Sequence, residues 1–398
     1  MKRIIIIGGG ISGLYLGYRL LDMNHSVTII EKEKYLGGRM YTEKVEVDGQ
    51  SFDIEGGAGV IGEDEKPMID LLEELDIPFS FWDSKTKIVY HQRKNEILDY
   101  DYPKLLNQVC RYSSNKLSFL EILDESNLSR KEKIGMIIGT TYGELFSANS
   151  RHVCQENDFN EFLLNQSYKY GKPKRWKDLT DRLEEKILKK NGIILKETSV
   201  IEISEHHVKT NHTEDSIHSF DLLIVTCPYH FVKKISLTKL LRPWVSFMDD
   251  VHEETDYLRV YSYFEEPLDI ESKIATNLAI RRVIPITKQL IMTVYTDGPD
   301  ARDIYRLEEE EKLSIYIEKE LGKLLERKIP RIKKNWSFFW EKGISSWRPS
   351  IVSVPEIIEM IRNPVQNIYF CGDTYSNHPG WVHGALESCN MFLENFNK

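Results

Sequence analysis

Residues 1–39 read MKRIIIIGGGISGLYLGYRLLDMNHSVTIIEKEKYLGGR. The isoleucines from Ile4 to Ile7 are too few to span a bilayer and too uniformly apolar for an edge strand, so they predict a parallel strand buried on both faces. Gly8, Gly10 and Gly13 follow in G-x-G-x-x-G spacing. The first glycine of such a run permits a tight turn, the second lets backbone approach a pyrophosphate, and the third lets the next helix lie close to the strand. That helix, from about Ser12 to Leu21, aims its free N–H groups and positive end at the phosphates. Val27 to Ile30 supply a second apolar run. Glu31 ends it about 20 positions past the glycines, where a carboxylate accepts from both ribose hydroxyls of an adenosine and favours a free 2′-hydroxyl.

After five intervening residues Glu31 is followed by Gly37, Gly38 and Arg39. This run resembles the Glu-x5-Gly-Gly-Arg signature of the flavin amine oxidase superfamily, whose members bind FAD. The resemblance implies cofactor contacts from Gly8, Gly10, Ile11, Ser12, Gly13, Glu31, Lys32, Gly38 and Arg39. Arg39 offers a planar cationic fork to a phosphate; the competing reading is a surface salt bridge. Downstream, the small residues Gly56, Gly57 and Ala58 permit close backbone approach to a flat ligand, and by the same resemblance they lie beside the isoalloxazine ring. Val200 would meet the adenine half through its backbone, or is an ordinary core valine.

The other end of the chain carries the matching half of the likeness. Ile368 to Asp373 (IYFCGD), then Gly380 to Ser388 (GWVHGALES), resemble the superfamily's final strand, its Gly-acid turn and its flavin-contacting helix. Gly372 and Asp373 would hold the ribityl chain or a phosphate through solvent. The Val382 backbone N–H would face the flavin N1–C2=O edge, where a helix N-terminus stabilises the negative charge of the reduced ring.

Taken together these likenesses imply an FAD-dependent amine oxidase, with hydride moving from a substrate C–N carbon to flavin N5 and oxygen returning as hydrogen peroxide. A dry aromatic pocket favours the neutral amine such a transfer needs. Trp381 occupies one wall of the family's cage; Trp347 is the expected second wall, or a core tryptophan. Arg259 stands in Leu258-Arg259-Val260, where the family carries a flavin-proximal lysine. It keeps the charge but has no neutral form, so oxygen reactivity or substrate class is expected to differ. No cysteine lies near Trp347, where covalently flavinylated members carry one, so the FAD is expected to be dissociable. His383 is expected to be a capped or solvent-exposed histidine. Asp249, Asp250, Glu253, Glu254 and Asp256 either line a path for a polycation or form a solvated acidic loop. Two alternatives keep the fold: a C–C desaturase or porphyrinogen-oxidase-like enzyme, disfavoured by the polar insertion from Lys104 to Lys190, and a flavin-binding protein without turnover.

The 398 residues suffice for about two domains. A hydrophobic fraction of 41%, a charged fraction of 29% and a net charge of −9 describe a globular chain and argue against nucleic acid or an anionic membrane as partner. No run approaches the ~20 apolar residues of a membrane span, and the opening run stops too early for a signal peptide, so a cytoplasmic protein is expected. The five cysteines are scattered without a ligand spacing, which predicts reduced thiols and no metal. Oligomeric state is not legible.

The fold expected is α/β: a Rossmann-like FAD-binding domain interleaved with an α+β substrate domain built on an antiparallel sheet. Residues 1–64, 191–230 and 361–398 make the first, and residues 65–190 (mostly helical) and 231–360 (sheet and helix) the second. Within these, Ile193 to Val200 reads as a strand running on to Ile203, Arg302 to Arg327 as one charged helix, and Tyr257 to Phe264, Ala279 to Ile286, Gln289 to Tyr295 and Trp336 to Trp340 as strands. Tyr100, Tyr102, Tyr112, Tyr142, Tyr168 and Tyr170 are left without a role.

Overall fold

The structure is a computed structural model and describes the chain except residues 84, 141, 142, 156–167, 213–215, 397 and 398 and the side chains of 144 and 145; Tyr142 thus lies outside the described residues. Five parallel strands form one sheet in the order Ile193–Leu195, Ser26–Ile30, Arg3–Ile7, Leu222–Val225, Ile368–Phe370. The isoleucine run sits at its centre, which is why it does not alternate. Ile4 and Ile6 join the apolar cluster that holds Leu14, Leu386 and Phe392, while Ile5 and Ile7 join the opposite one with Trp244, Met248 and Phe370. Side chains on both faces are therefore withdrawn from water.

On the first of those faces the helices Ile11–Asp22 and Val382–Phe396 lie together. Tyr15 Oη donates to Asn390 Oδ1 at 2.6 Å, and the Gly372 N–H donates to Ser388 Oγ at 2.7 Å. Thus the first helix and the last one are neighbours.

A seven-stranded sheet forms the second layer, in the order Ile332–Trp347, His252–Phe264, Leu290–Asp297, Arg282–Pro285, Lys273–Thr276, Thr86–His91, Asn95–Ile97. The long strands His252–Phe264 and Ile332–Trp347 pair antiparallel along almost their whole length. The sheet is not wholly antiparallel as expected, because Lys273–Thr276 pairs parallel with Thr86–His91. Those two strands come from different insertions, so no hairpin dictates their relative direction.

Three local expectations are corrected. Ile193 to Ile203 is not one strand: Glu197 takes φ 54°, and the chain turns there from Ile193–Leu195 in the parallel sheet to Val200–Ile203 in a separate four-stranded sheet. The charged stretch to Arg327 is two helices, Gly298–Glu309 and Leu313–Leu325, broken where Glu311 takes φ 57°. The five cysteines are not all free thiols, for Cys110 and Cys154 form a disulfide. It ties the end of the Tyr102–Val109 helix to the Ser150–Gln155 helix, a pairing that scattered spacing does not reveal. Among the described residues no helix is long and apolar enough to cross a membrane.

Candidate active site

A cavity of about 610 Å³ runs between the two sheets. Gly8, Gly10, Ile11, Ser12, Glu31, Lys32, Gly38, Arg39, Gly57 and Ala58 line it from residues 1–64, Val200 from residues 191–230, and Asp373, Trp381 and Val382 from residues 361–398. Residues far apart in the chain are brought to one wall.

The glycines explain how the backbone gets so close. A Cβ on Gly13 would lie 1.9 Å from the Gly8 carbonyl oxygen, and one on Gly57 would lie 1.9 Å from that of Arg39. Gly13 therefore shapes the cavity from behind it, and neither it nor Gly56 nor Gly372 lines the cavity. Glu31, only 8% exposed, is held in place by two backbone donors. Its Oε2 accepts from the Gly9 N–H at 2.6 Å and its Oε1 from the Glu33 N–H at 2.8 Å. Burial raises its pKa against the pull of those two bonds.

Arg39 and Asp373 are partners in this structure. Arg39 Nη2 lies 2.5 Å from Asp373 Oδ1, and Arg39 Nη1 donates to the Gly343 carbonyl at 2.7 Å. Asp373 Oδ2 in turn accepts from the Gly380 N–H at 3.2 Å. The ion pair thereby joins the Gly-Gly-Arg turn to the loop that starts the last helix.

Trp347 does not reach the cavity. It is wholly buried, its Nε1–H donates to the Ser376 carbonyl at 3.0 Å, and its ring packs edge-on against His252. The cause is a break in strand register between Thr255 and Tyr257. Opposite that break residues 341–343 bulge out, with Lys342 at φ 49° and its N–H donating to Asp256 Oδ1 at 2.9 Å. A bulge of this kind re-aims the side chains around it. Trp340, Tyr257 and Ile344 reach the cavity with Trp381 instead, and Trp340 Nε1–H donates to the Gly56 carbonyl at 2.8 Å.

Arg259 is 3% exposed and lies one layer behind the wall. Its Nη1 donates to the Glu55 carbonyl at 3.1 Å, and its guanidinium stands 4.8 Å from the Tyr295 ring centroid and 5.4 Å from that of Tyr257. A Cβ on Gly59, a wall residue, would come within 2.9 Å of Arg259 Nη2. His383 is largely buried rather than exposed. Its ring lies 3.3 Å from Glu65 Oε1 and 4.3 Å, centroid to centroid, from His378. The acidic loop is no path: Asp249 meets Lys233, Glu253 meets Arg348, Asp256 meets Arg302 and Glu254 meets His230. None of the five lines the cavity.

An elongated cleft with a glycine cradle, two helix N-termini and an anchored carboxylate at one end fits a dinucleotide carrying a flat ring. The chain matches the model of the flavin containing amine oxidoreductase family over residues 11–390 and belongs to that family. It is 21% identical to the flavin-dependent L-tryptophan oxidase RebO of Lentzea aerocolonigenes, over 97% of this chain and 96% of that protein. It is 22% identical to the L-amino-acid oxidase BmooLAAO-I of Bothrops moojeni, over 97% and 88% respectively. Its fold matches cyclohexylamine oxidase from Brevibacterium oxydans with TM-score 0.76 at 16% identity, over the whole of both chains. The protein is accordingly an FAD-dependent oxidase acting on amine groups.

Proposed function

We propose that the chain binds FAD without a covalent bond and takes hydride from the C–N carbon of a small amine held between Trp381 and Trp340. The observation that carries this reading is the continuity of the cavity, which joins the nucleotide turn at Gly8 and Gly10 to Trp381 and Val382 at the start of the last helix. Bound FAD supplies the hydride acceptor, and oxygen takes the electrons on to hydrogen peroxide. The protein's own contribution is positional and electrostatic. Glu31 receives the ribose hydroxyls, the Ile11–Asp22 helix faces the diphosphate with its positive end, and the Val382–Phe396 helix faces the ring. The aromatic wall excludes water, which keeps the substrate amine neutral. Cys227 is the cysteine on the cavity wall, and burial pushes its thiol up to about 12, so it does not serve as a nucleophile toward the flavin.

The interleaved boundaries given above, an FAD-binding half from three segments and a substrate half from two, are part of this proposal. The parallel sheet supports them by drawing strands from all three segments of the first half. In a reducing cytoplasm the Cys110–Cys154 pair would stand as thiols.

A second reading narrows the amine to an L-α-amino acid. It is favoured by the two relatives matched over 97% of the chain. Anaerobic bleaching of the bound flavin decides. A panel of mono- and polyamines and of L-amino acids is expected to bleach it with one class only. Bleaching by a polyene or porphyrinogen, with none by any amine or amino acid, would establish the desaturase alternative instead.

A further inference from the structure

The start of the last helix, Val382–Phe396, turns two faces to its surroundings. Trp381, Val382 and Ala385 line the cavity. Gly384 and Glu387, one turn apart, share a different face and meet the loop from Ser376 to Gly380 that leads into the helix. Gly384 leaves room for that loop: a Cβ there would lie 2.1 Å from the His378 carbonyl oxygen and 2.6 Å from Ser376 Oγ. One turn further on, Glu387 takes hold of the loop's side chains. Its Oε1 accepts from Asn377 Nδ2 at 3.0 Å, and its Oε2 lies 2.9 Å from His378 Nδ1. Burial pushes the Glu387 carboxyl up, yet the bonds from His378 and Asn377 hold its pKa below the ordinary carboxylate value.

The path from Glu387 to the cavity is short. The His378 ring meets Glu387, and the carbonyl of the same residue accepts from the Trp381 N–H at 3.3 Å. The first N–H groups of a helix have no partner within it, so a carbonyl held in this place also decides where the helix begins. The His378 ring lies 4.3 Å from that of His383, centroid to centroid. Trp347, which does not reach the cavity, pins the loop from another side, since its Nε1–H donates to the Ser376 carbonyl. The loop is thus tied down next to the residue that supplies the aromatic wall.

We propose that Glu387 is a positioning residue for that wall: by holding Asn377 and His378 it fixes the place of Trp381 beside the substrate. The inference rests on the reading of Trp381 as one side of the amine site and adds to it the residue that sets it. Glu387 does not line the cavity, so it acts through the loop.

The test has two arms. In the flavin-free full chain, amide exchange of fragments covering residues 376–387 should speed up roughly tenfold in Glu387→Ala, the scale of a lost hydrogen bond to a charged group. The FAD-loaded chain is then taken through a double-mutant cycle with Trp381→Ala. Its readout is the rate of anaerobic flavin bleaching across a panel of monoamines, diamines and L-amino acids, with the fastest compound used throughout. Glu387→Ala is expected to slow bleaching about tenfold when Trp381 is present and less than about twofold when it is not, because a residue that acts through another loses its effect with it. Kd for FAD should stay within about threefold of wild type. Glu387→Gln, which keeps an acceptor, should lose less in both arms. Melting of each variant reports whether it is folded, and Glu387→Gln carries the test if Glu387→Ala is not. Equal slowing in both backgrounds, unchanged exchange, or FAD affinity falling in step with the rate overturns the proposal. Trp381→Ala that bleaches like wild type would overturn the wall reading itself, and this inference with it, a result distinct from equal slowing.

Discussion

On the parallel-sheet side the cavity is walled mainly by backbone. Gly8, Gly10 and Gly38 line it, and Gly13 and Gly57 stand where a Cβ would collide with a carbonyl. On the side of the seven-stranded sheet it is walled by side chains, Tyr257, Phe339, Trp340 and Ile344, delivered by two long strands whose register breaks beside them. A backbone wall tolerates almost no substitution, since its function is the absence of atoms. A side-chain wall can be rebuilt residue by residue, which lets one cofactor grip serve many substrates.

Breaking the backbone wall should have the largest effect. In Gly13→Ala the added methyl meets the Gly8 carbonyl at 1.9 Å, so the helix must move away from the strand. FAD affinity is expected to fall by more than about 1,000-fold, read by flavin content after gel filtration. A normal yellow protein would show that the turn has slack the contact distances deny.

Next comes the far side of the second half. Cys110 and Cys154 are 44 positions apart, and a loop of that size gives a bridge worth about 4 kcal/mol in the chain-entropy account. The Cys110→Ser, Cys154→Ser double variant should unfold at lower guanidinium by that measure while FAD affinity stays unchanged. A parallel loss of FAD would mean the two halves are not separable in this way.

A smaller effect comes from acid. Burial pulls His252 from 6.5 down to about 4, so in the folded state it stays neutral while the unfolded chain takes up a proton. Its contribution is full above pH 6.5 and is lost as pH falls toward 4, up to roughly 3 kcal/mol. Urea midpoints from pH 7 to pH 4.5 should drop, and His252→Phe should flatten that slope. The smallest expected effect sharpens the comparison one layer behind the wall. Arg259→Lys restores an amine that can exist in neutral form, and stopped-flow reoxidation should change by about tenfold, the equivalent of ~1.4 kcal/mol. An unaltered oxidative rate would remove Arg259 from the account of oxygen reactivity.

The same contrast explains what could be read from the chain before its structure. The cavity is lined by Gly8, Gly10, Glu31, Trp381 and Val382. Turn chemistry is local, so the spacing of Gly8, Gly10 and Gly13 and the acid at Glu31 were legible as a nucleotide turn, and the Gly380-Trp381-Val382 helix start was legible through its family resemblance. Trp347 was not, because what decides it is the bulge at residues 341–343 opposite Asp256, and a register break leaves no period in the sequence. Trp340 ended the aromatic run from Trp336 and carried no signal that set it apart. Glu387 was hidden for another reason: its partners Asn377 and His378 sit on a loop before its own helix, so the contact exists only after folding. Glu197 and Glu311 ended elements through positive φ, a conformation for which glutamate gives no warning.

The order of strands in the central sheet has a consequence for how the protein is made. Ile368–Phe370 is an edge strand of that sheet, and Asp373, Trp381 and Val382 follow it in the chain. During synthesis, which proceeds from the amino end at about 5–20 residues per second, the nucleotide turn emerges more than 350 residues ahead of Asp373 and waits with one jaw of its clamp still inside the ribosome. Flavin capture is therefore expected only once residues 368–382 have emerged, and a nascent chain stalled anywhere before Ile368 should stay without colour.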